Sequence, residues 1–92
     1  MKLTYTHEAK DKIRKLPPET KKGIQKLLEL LPETPFLGKP LQKELAGYYS
    51  LRFKNNRVIY KVTLNSKNIV IYTLGHRKDV YENFLKQLHK FQ

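Results

Sequence analysis

Three strand-like segments follow one another in the second half of the chain, at about Tyr48 to Phe53, Arg57 to Leu64 and Asn68 to Leu74, with only KNN and NSK between them. Links this short leave no room for a crossover, so the segments are expected to pair as antiparallel hairpins. In the first segment Tyr49, Leu51 and Phe53 alternate with Tyr48, Ser50, Arg52 and Lys54. In the second, Val58, Tyr60, Val62 and Leu64 share one face, and Arg57, Ile59, Lys61 and Thr63 the other. The third, NIVIYTL, is apolar on both faces, which predicts an interior strand covered on each side. Gly75 is expected to end it.

The rest of the chain supplies the cover. KLTYTH reads as a first strand over Lys2 to Thr6, with Thr6 also able to cap the helix that follows. Ala9, Ile13 and Leu16 recur at helical spacing until Pro17-Pro18, and Pro18 can open a second helix running to about Leu31. Ile24, Leu27, Leu28 and Leu31 form the apolar stripe of that helix. The stretch PETPFLGKPLQKELAG carries three prolines and two glycines and reads as a connector whose Leu37, Leu41 and Leu45 tuck under the sheet edge. Asp79 with Glu82 resembles a capping box for a last helix to about Lys90, lined by Val80, Phe84, Leu88 and Phe91. The expected fold is α+β in the order β-α-α-β-β-β-α. Two N-terminal helices form one layer on a mainly antiparallel four-stranded sheet, and a C-terminal helix follows.

A chain of 92 residues suits a single domain, taken here as residues 1–92. It has no cysteine, which excludes disulfides, thiolate metal sites and cysteine nucleophiles and fits the cytoplasm. No apolar run approaches the roughly 20 residues of a membrane helix, and no signal-peptide core opens the chain. The formal charge is +11, from 19 Lys and Arg against 8 Asp and Glu. That excess attracts polyanions, nucleic acid first, although a solubilising lysine shell or an acidic protein partner would also account for it. Its distribution is uneven. Between Leu45 and Lys78 there is no acid, yet Arg52, Lys54, Arg57, Lys61, Lys67, Arg77 and Lys78 lie there. One-signed charge on the sheet segment points to a binding surface.

No glycine-rich phosphate loop, no His pair at metal-ligand spacing and no sheet carboxylates are present, so no metal or cofactor is expected. RNA can nevertheless be cut without a metal. Its 2′-hydroxyl attacks the neighbouring phosphate when one group takes the proton, another protonates the leaving 5′ oxygen, and cations hold the added negative charge. Arginine suits the last task because its planar fork matches phosphate oxygens. The candidates for this chemistry are Arg52, Lys54, Arg57, His76, Arg77 and Tyr81. His76 is the one whose residue type ordinarily titrates near neutral pH, although a lone His after a strand is more often structural. Adjacent hairpin strands would bring the set to one sheet end.

LAGYYSLRFKNNRVIYKV followed by IVIYTLGHRKDVYE resembles the RelE/ParE superfamily of toxins. The matching positions are Leu45, Gly47, Leu51, Arg52, Arg57, Val58, Ile59, Tyr60, Gly75, His76, Arg77, Val80 and Tyr81. The resemblance implies a RelE-like endoribonuclease that cuts mRNA on the ribosome and is neutralised by an acidic, RelB-like antitoxin. Homodimers or toxin–antitoxin heterotetramers are conceivable assemblies. By motif, Arg57 would be the transition-state arginine, Arg77 would bind or polarise the phosphate, Tyr81 would stack on the nucleotide and Arg52 would contact the backbone. Lys54, Lys61 and Lys78 would add RNA contacts. Active relatives carry lysines where Tyr48 and Ser50 stand here, so His76 or Lys54 is nominated as the base; Lys54 itself falls where glycine is common. The alternatives are a ParE-like gyrase inhibitor, or an inactive relative that binds only antitoxin or RNA. If the nuclease assignment holds, Arg52, Arg57, Arg77 and Tyr81 open onto one concave surface.

Overall fold

The computed structural model describes residues 1–90. Its elements are β1 (Lys2–Tyr5), α1 (His7–Arg14), α2 (Pro18–Leu28), β2 (Lys39–Pro40), β3 (Tyr49–Phe53), β4 (Asn56–Thr63), β5 (Asn68–His76) and α3 (Val80–His89). The sheet order is β1-β5-β4-β3-β2. β1 runs parallel to β5 and every other pair is antiparallel. The α+β class stands, but the sheet has five strands rather than four. The extra one is β2, part of the proline-rich connector, which pairs Lys39 with Ser50 and Pro40 with Tyr49. A two-residue strand has no periodicity to read, and its proline is tolerable only because it lies on the sheet edge.

Local chemistry sets the helix boundaries. β1 ends at Tyr5 rather than Thr6, because the Thr6 hydroxyl accepts from the Ala9 amide at 3.1 Å and donates to the Tyr72 carbonyl at 2.7 Å. Pro18 opens α2 as expected. That helix ends at Leu28, short of Leu31, although Leu31 stays fully buried in the turn beyond it. Gly23 sits in mid-helix because a Cβ there would lie 2.2 Å from the Phe53 ring. Its absence lets α2 rest directly on β3. Among the described residues, no helix is long and apolar enough to cross a membrane.

Two cores sandwich the sheet. α1 and α2 contribute Ala9, Ile13, Ile24 and Leu28 against Leu51, Val58, Tyr60, Ile69, Ile71 and Leu74. On the opposite face Val80 and Phe84 of α3 pack with Ile59 and Leu45, flanked by Leu41, Tyr48, Tyr72 and Tyr81. The arrangement is therefore helices on both faces, not one helical layer on one sheet. It is required by the apolarity of β5, which lies inside the sheet between β1 and β4. Of the three connector leucines, Leu41 and Leu45 join this second core whereas Leu37 is exposed. Asp79 precedes α3, but its side chain makes no capping hydrogen bond, so the box pattern is not realised. Phe91 lies outside the described residues.

β5 does not end at Gly75. It continues to His76, pairing Gly75 with Arg57 and His76 with Asn56. Along the strand the register slips: Ile59 faces Thr73 but Tyr60 faces Ile71, leaving Tyr72 as an extra residue. This bulge reverses the alternation. Ile69 and Ile71 face α1 and α2, and so does Leu74, three positions on. Gly75 consequently faces α3, where a Cβ would meet the Val80 side chain at 3.4 Å.

β2 is held against β3 by a close approach. The Gly38 amide donates to the buried Tyr60 hydroxyl at 2.8 Å, and a Cβ on Gly38 would lie 2.7 Å from the Ser50 carbonyl oxygen. The Leu41 amide donates to the Tyr48 carbonyl at 2.9 Å beyond it. Burial pushes the Tyr60 phenol above its ordinary value of 10.0, against a smaller opposing effect of the Gly38 hydrogen bond. The folded state thus favours the neutral phenol. Its contribution to stability is complete below about pH 10 and is lost as pH climbs through the raised folded value. Tyr60→Phe is expected to cost about 1–2 kcal/mol at neutral pH, since the Gly38 amide loses its partner. Denaturant titrations of the variant should also show a shallower fall in stability above about pH 10 than the parent.

Candidate active-site cleft

The α3-side face of the sheet opens, at its hairpin end, into a cleft of about 460 Å³ lined by Lys39, Leu41, Ser50, Arg52, Arg57, Arg77, Lys78 and Tyr81. Strand alternation places Ser50 and Arg52 on this face of β3, and the register sets Arg52 directly opposite Arg57 on β4. The bulge at Tyr72 brings Arg77 to the same side. The backbone then fixes the approach: the Arg77 amide donates to the Asn55 carbonyl at 2.8 Å, clamping the turn after β5 onto the β3–β4 hairpin. Arg57 is half-buried, and its Nη1 donates to the carbonyls of Lys54 and Asn56 at 3.1 Å each. Tyr81 comes from the first turn of α3, and its hydroxyl is 2.8 Å from the buried Ser50 hydroxyl.

All four residues expected on one concave surface, Arg52, Arg57, Arg77 and Tyr81, line this cleft, with Lys78 beside them. Three other nominated residues are not brought there. His76 is exposed on β5 between Gly75 and Arg77, so alternation turns it to the other face, where its Nδ1 accepts from the Lys78 amide at 3.4 Å. Lys54 occupies the hairpin in the left-handed region (φ 54°), and its ammonium lies 5.5 Å from the Phe53 ring centre on the α2 side. Glycine adopts that backbone conformation more readily than a residue with a side chain, so Lys54 carries a local backbone cost. Lys61 lies further along β4 with its ammonium 5.2 Å from the Tyr48 ring centre. Sequence reading missed Lys39 and Leu41 as lining residues because they sit in an aperiodic connector. It placed Ser50 on the same strand face as Arg52 but gave it no role in the site.

The cleft carries five cationic side chains, Lys39, Arg52, Arg57, Arg77 and Lys78, and no acid. Among the described residues, none of these five pairs with a carboxylate; the ion pairs lie on the helices and at His89–Glu44. Nor do the described residues contain a group of three or more His, Asp or Glu able to hold a metal ion. A concave surface lined by five cations and a tyrosine attracts anions.

A family model described as "ParE toxin of type II toxin-antitoxin system, parDE" matches residues 3–81. The chain belongs to this family. Toxin RelG of Mycobacterium tuberculosis (strain ATCC 25618 / H37Rv) is 33% identical over 81 residues, covering 86% of this chain and 93% of its own length. Among solved structures, a RelBE toxin–antitoxin complex of the same species is similar at 31% identity and a TM-score of 0.72, covering 83% of this chain and 90% of the matched one. The isolated E. coli RelE toxin matches at 20% identity and a TM-score of 0.72, over 95% and 97% of the two chains, and shares the fold. The protein is a RelE/ParE-superfamily toxin, and five cations line its cleft.

Directly opposed like charges weaken a strand pair, so Arg52 facing Arg57 is a cost carried by this toxin's sheet. Arg52→Gln should raise stability by about 0.5 kcal/mol. The same variant should bind single-stranded RNA more weakly and with a shallower salt dependence. Thermal unfolding and a salt titration of binding check both halves.

Proposed function

We propose that this toxin is a metal-independent endoribonuclease that cleaves mRNA on the ribosome and so arrests translation. The observation that carries the reading is the convergence of Arg57, on β4, and Arg77, in the turn after β5, within one cleft that also holds Tyr81 and no acid. Arg57, tethered through Nη1 to two hairpin carbonyls, keeps part of its guanidinium fork for the non-bridging oxygens of the scissile phosphate. It stabilises the charge that develops as the 2′ oxygen attacks. Arg77 binds the same phosphate from the opposite wall. Tyr81 stacks on or orients the nucleotide, and Arg52 and Lys78 hold the flanking backbone. Lys54 and Lys61, outside the cleft, serve only as peripheral RNA contacts. His76 has no part at the phosphate.

An acidic, RelB-like antitoxin is the natural partner for such a surface, and one of the similar structures is a RelBE toxin–antitoxin complex. The working compartment is then the cytoplasm, where ribosomes and antitoxin meet. The family model carries the ParE name, which favours gyrase inhibition as the second reading.

Primer extension on ribosome-bound mRNA separates the two. The nuclease reading expects new 3′ ends within translated codons, fragments with 5′-hydroxyl termini, and no cut at a position made 2′-deoxy. Supercoiling inhibition without cleavage would replace it by the gyrase reading. Arg57→Ala should lower the cleavage rate by about 10²–10³-fold with unfolding unchanged within about 1 kcal/mol. A folded Arg57→Ala toxin that still cleaves at the parent rate would remove Arg57 from the site.

A further inference from the structure

The reaction needs a group that takes the 2′-hydroxyl proton, and neither residue nominated for it lies in the cleft. The lining side chains narrow the choice. Arg52, Arg57 and Arg77 are permanent cations and cannot accept a proton. Leu41 has no polar atom. The Ser50 and Tyr81 hydroxyls are engaged with each other at 2.8 Å. Lys39 and Lys78 remain.

These two differ in how they are held. Both side chains are exposed, but Lys78 sits in the turn between β5 and α3. Lys39 stands on β2 in register with Ser50, next to the Ser50–Tyr81 pair. The residues on either side of it are fixed. Gly38 donates to the buried Tyr60 hydroxyl at 2.8 Å and approaches the Ser50 carbonyl more closely than any side-chain-bearing residue allows. Pro40 has a restricted backbone and pairs with Tyr49. A catalytic amine must be placed to within about 0.5 Å, which a paired strand does better than a turn.

We propose that Lys39 is the proton acceptor of this toxin, an inference that rests on the nuclease reading above. In its neutral form the Lys39 amine takes the 2′-hydroxyl proton and becomes an ammonium. The 2′ oxygen bonds to phosphorus and the bond from phosphorus to the 5′ oxygen breaks. Water at the open mouth of the cleft protonates the departing oxygen. The hydroxide left behind is neutralised by the proton that Lys39 returns. The products are a 2′,3′-cyclic phosphate and a 5′-hydroxyl, with no net change in protons. Lys39 thus supplies from the edge strand the amine that β3, with Tyr48 and Ser50, does not carry.

The test compares the parent, Lys39→Ala, Lys39→Arg and Lys78→Arg proteins in single-turnover cleavage of mRNA on ribosomes. Binding of the same mRNA with a 2′-deoxy residue at the cleavage site is measured alongside. Lys39→Arg keeps the charge but cannot accept a proton, so it should lose about as much rate as Lys39→Ala, roughly 10²-fold or more. Its affinity for the uncleavable mRNA should stay within about threefold of the parent, because phosphate contacts survive. Added small primary amines should restore part of the Lys39→Ala rate and none of the parent's. Lys78→Arg keeps the cation that holds the flanking backbone, so it should lose far less rate than Lys39→Arg. Cleavage by Lys39→Arg within about threefold of the parent would reduce Lys39 to a charge contact and overturn the proposal, as would loss of rate in Lys78→Arg alone. If the parent itself cleaves nothing, the nuclease reading fails first, a result distinct from an active parent with an active Lys39→Arg.

Discussion

The extra residue in β5 decides which side chains share a face. Without the bulge, a strand that buries Ile69 and Ile71 toward α1 and α2 would send position 75, and the turn after it, to that same side. Arg77 would then approach the first core, on the opposite face of the sheet from Arg52 and Arg57. With Tyr72 inserted, Leu74 fills the first core and Gly75 turns to α3. One residue thus serves both core and cleft, and Tyr72 itself is not wasted: it packs edge-on to Tyr48 at 5.4 Å and beside Phe84 at 5.8 Å in the second core. Bulges are common where a strand must re-aim a side chain next to a site.

The same face carries an electrostatic cost that the fold offsets elsewhere. Five cations line one cleft and two arginines oppose each other across a strand pair. Charge self-repulsion of that kind favours expansion. The opposing attraction comes from apolar burial on both sheet faces, with Val58, Ile59, Tyr60, Ile69, Ile71 and Leu74 at 2% exposure or less. Burying each such side chain contributes about 1.5–3 kcal/mol, several times the cost of one like-charge pair. Interior strands with this much burial can carry unpaired arginines at their ends. A bound phosphate chain would then remove the repulsion, so ligand binding and sheet stability are linked in sign.

The hairpins, the capped first helix, the proline that opens α2 and the doubly buried third hairpin strand were legible because each has a local signal. The convergence of Arg52, Arg57, Arg77 and Tyr81 followed from hairpin order together with the family resemblance. Other features had no local signal. The bulge leaves no mark in NIVIYTL, which reads as an uninterrupted strand, yet it decides which of His76 and Arg77 joins Arg52 and Arg57. β2 is two residues long and includes a proline, and only the tertiary contact between Gly38 and Tyr60 gives it a place. Lys54 looked like a chemical candidate from its neighbours; its left-handed backbone instead turns it to the Phe53 side.

Ser50 shows how a replacement can change a role rather than remove one. A lysine at this position would bring a further cation beside Arg52 and Arg57, in a pocket where Ser50 is only 7% exposed. Serine avoids that desolvated charge, and its hydroxyl is small enough to meet the Tyr81 hydroxyl at 2.8 Å. The hydrogen bond joins β3 to the first turn of α3, whose Val80 and Phe84 are buried in the second core. Tyr81 therefore stays in the cleft only while α3 is docked, and docking is stabilised by apolar burial well away from any phosphate. The cleft's aromatic wall and the second core are parts of one cooperative unit. In consequence, a change that loosens α3 from the sheet disturbs Tyr81 without touching the arginines.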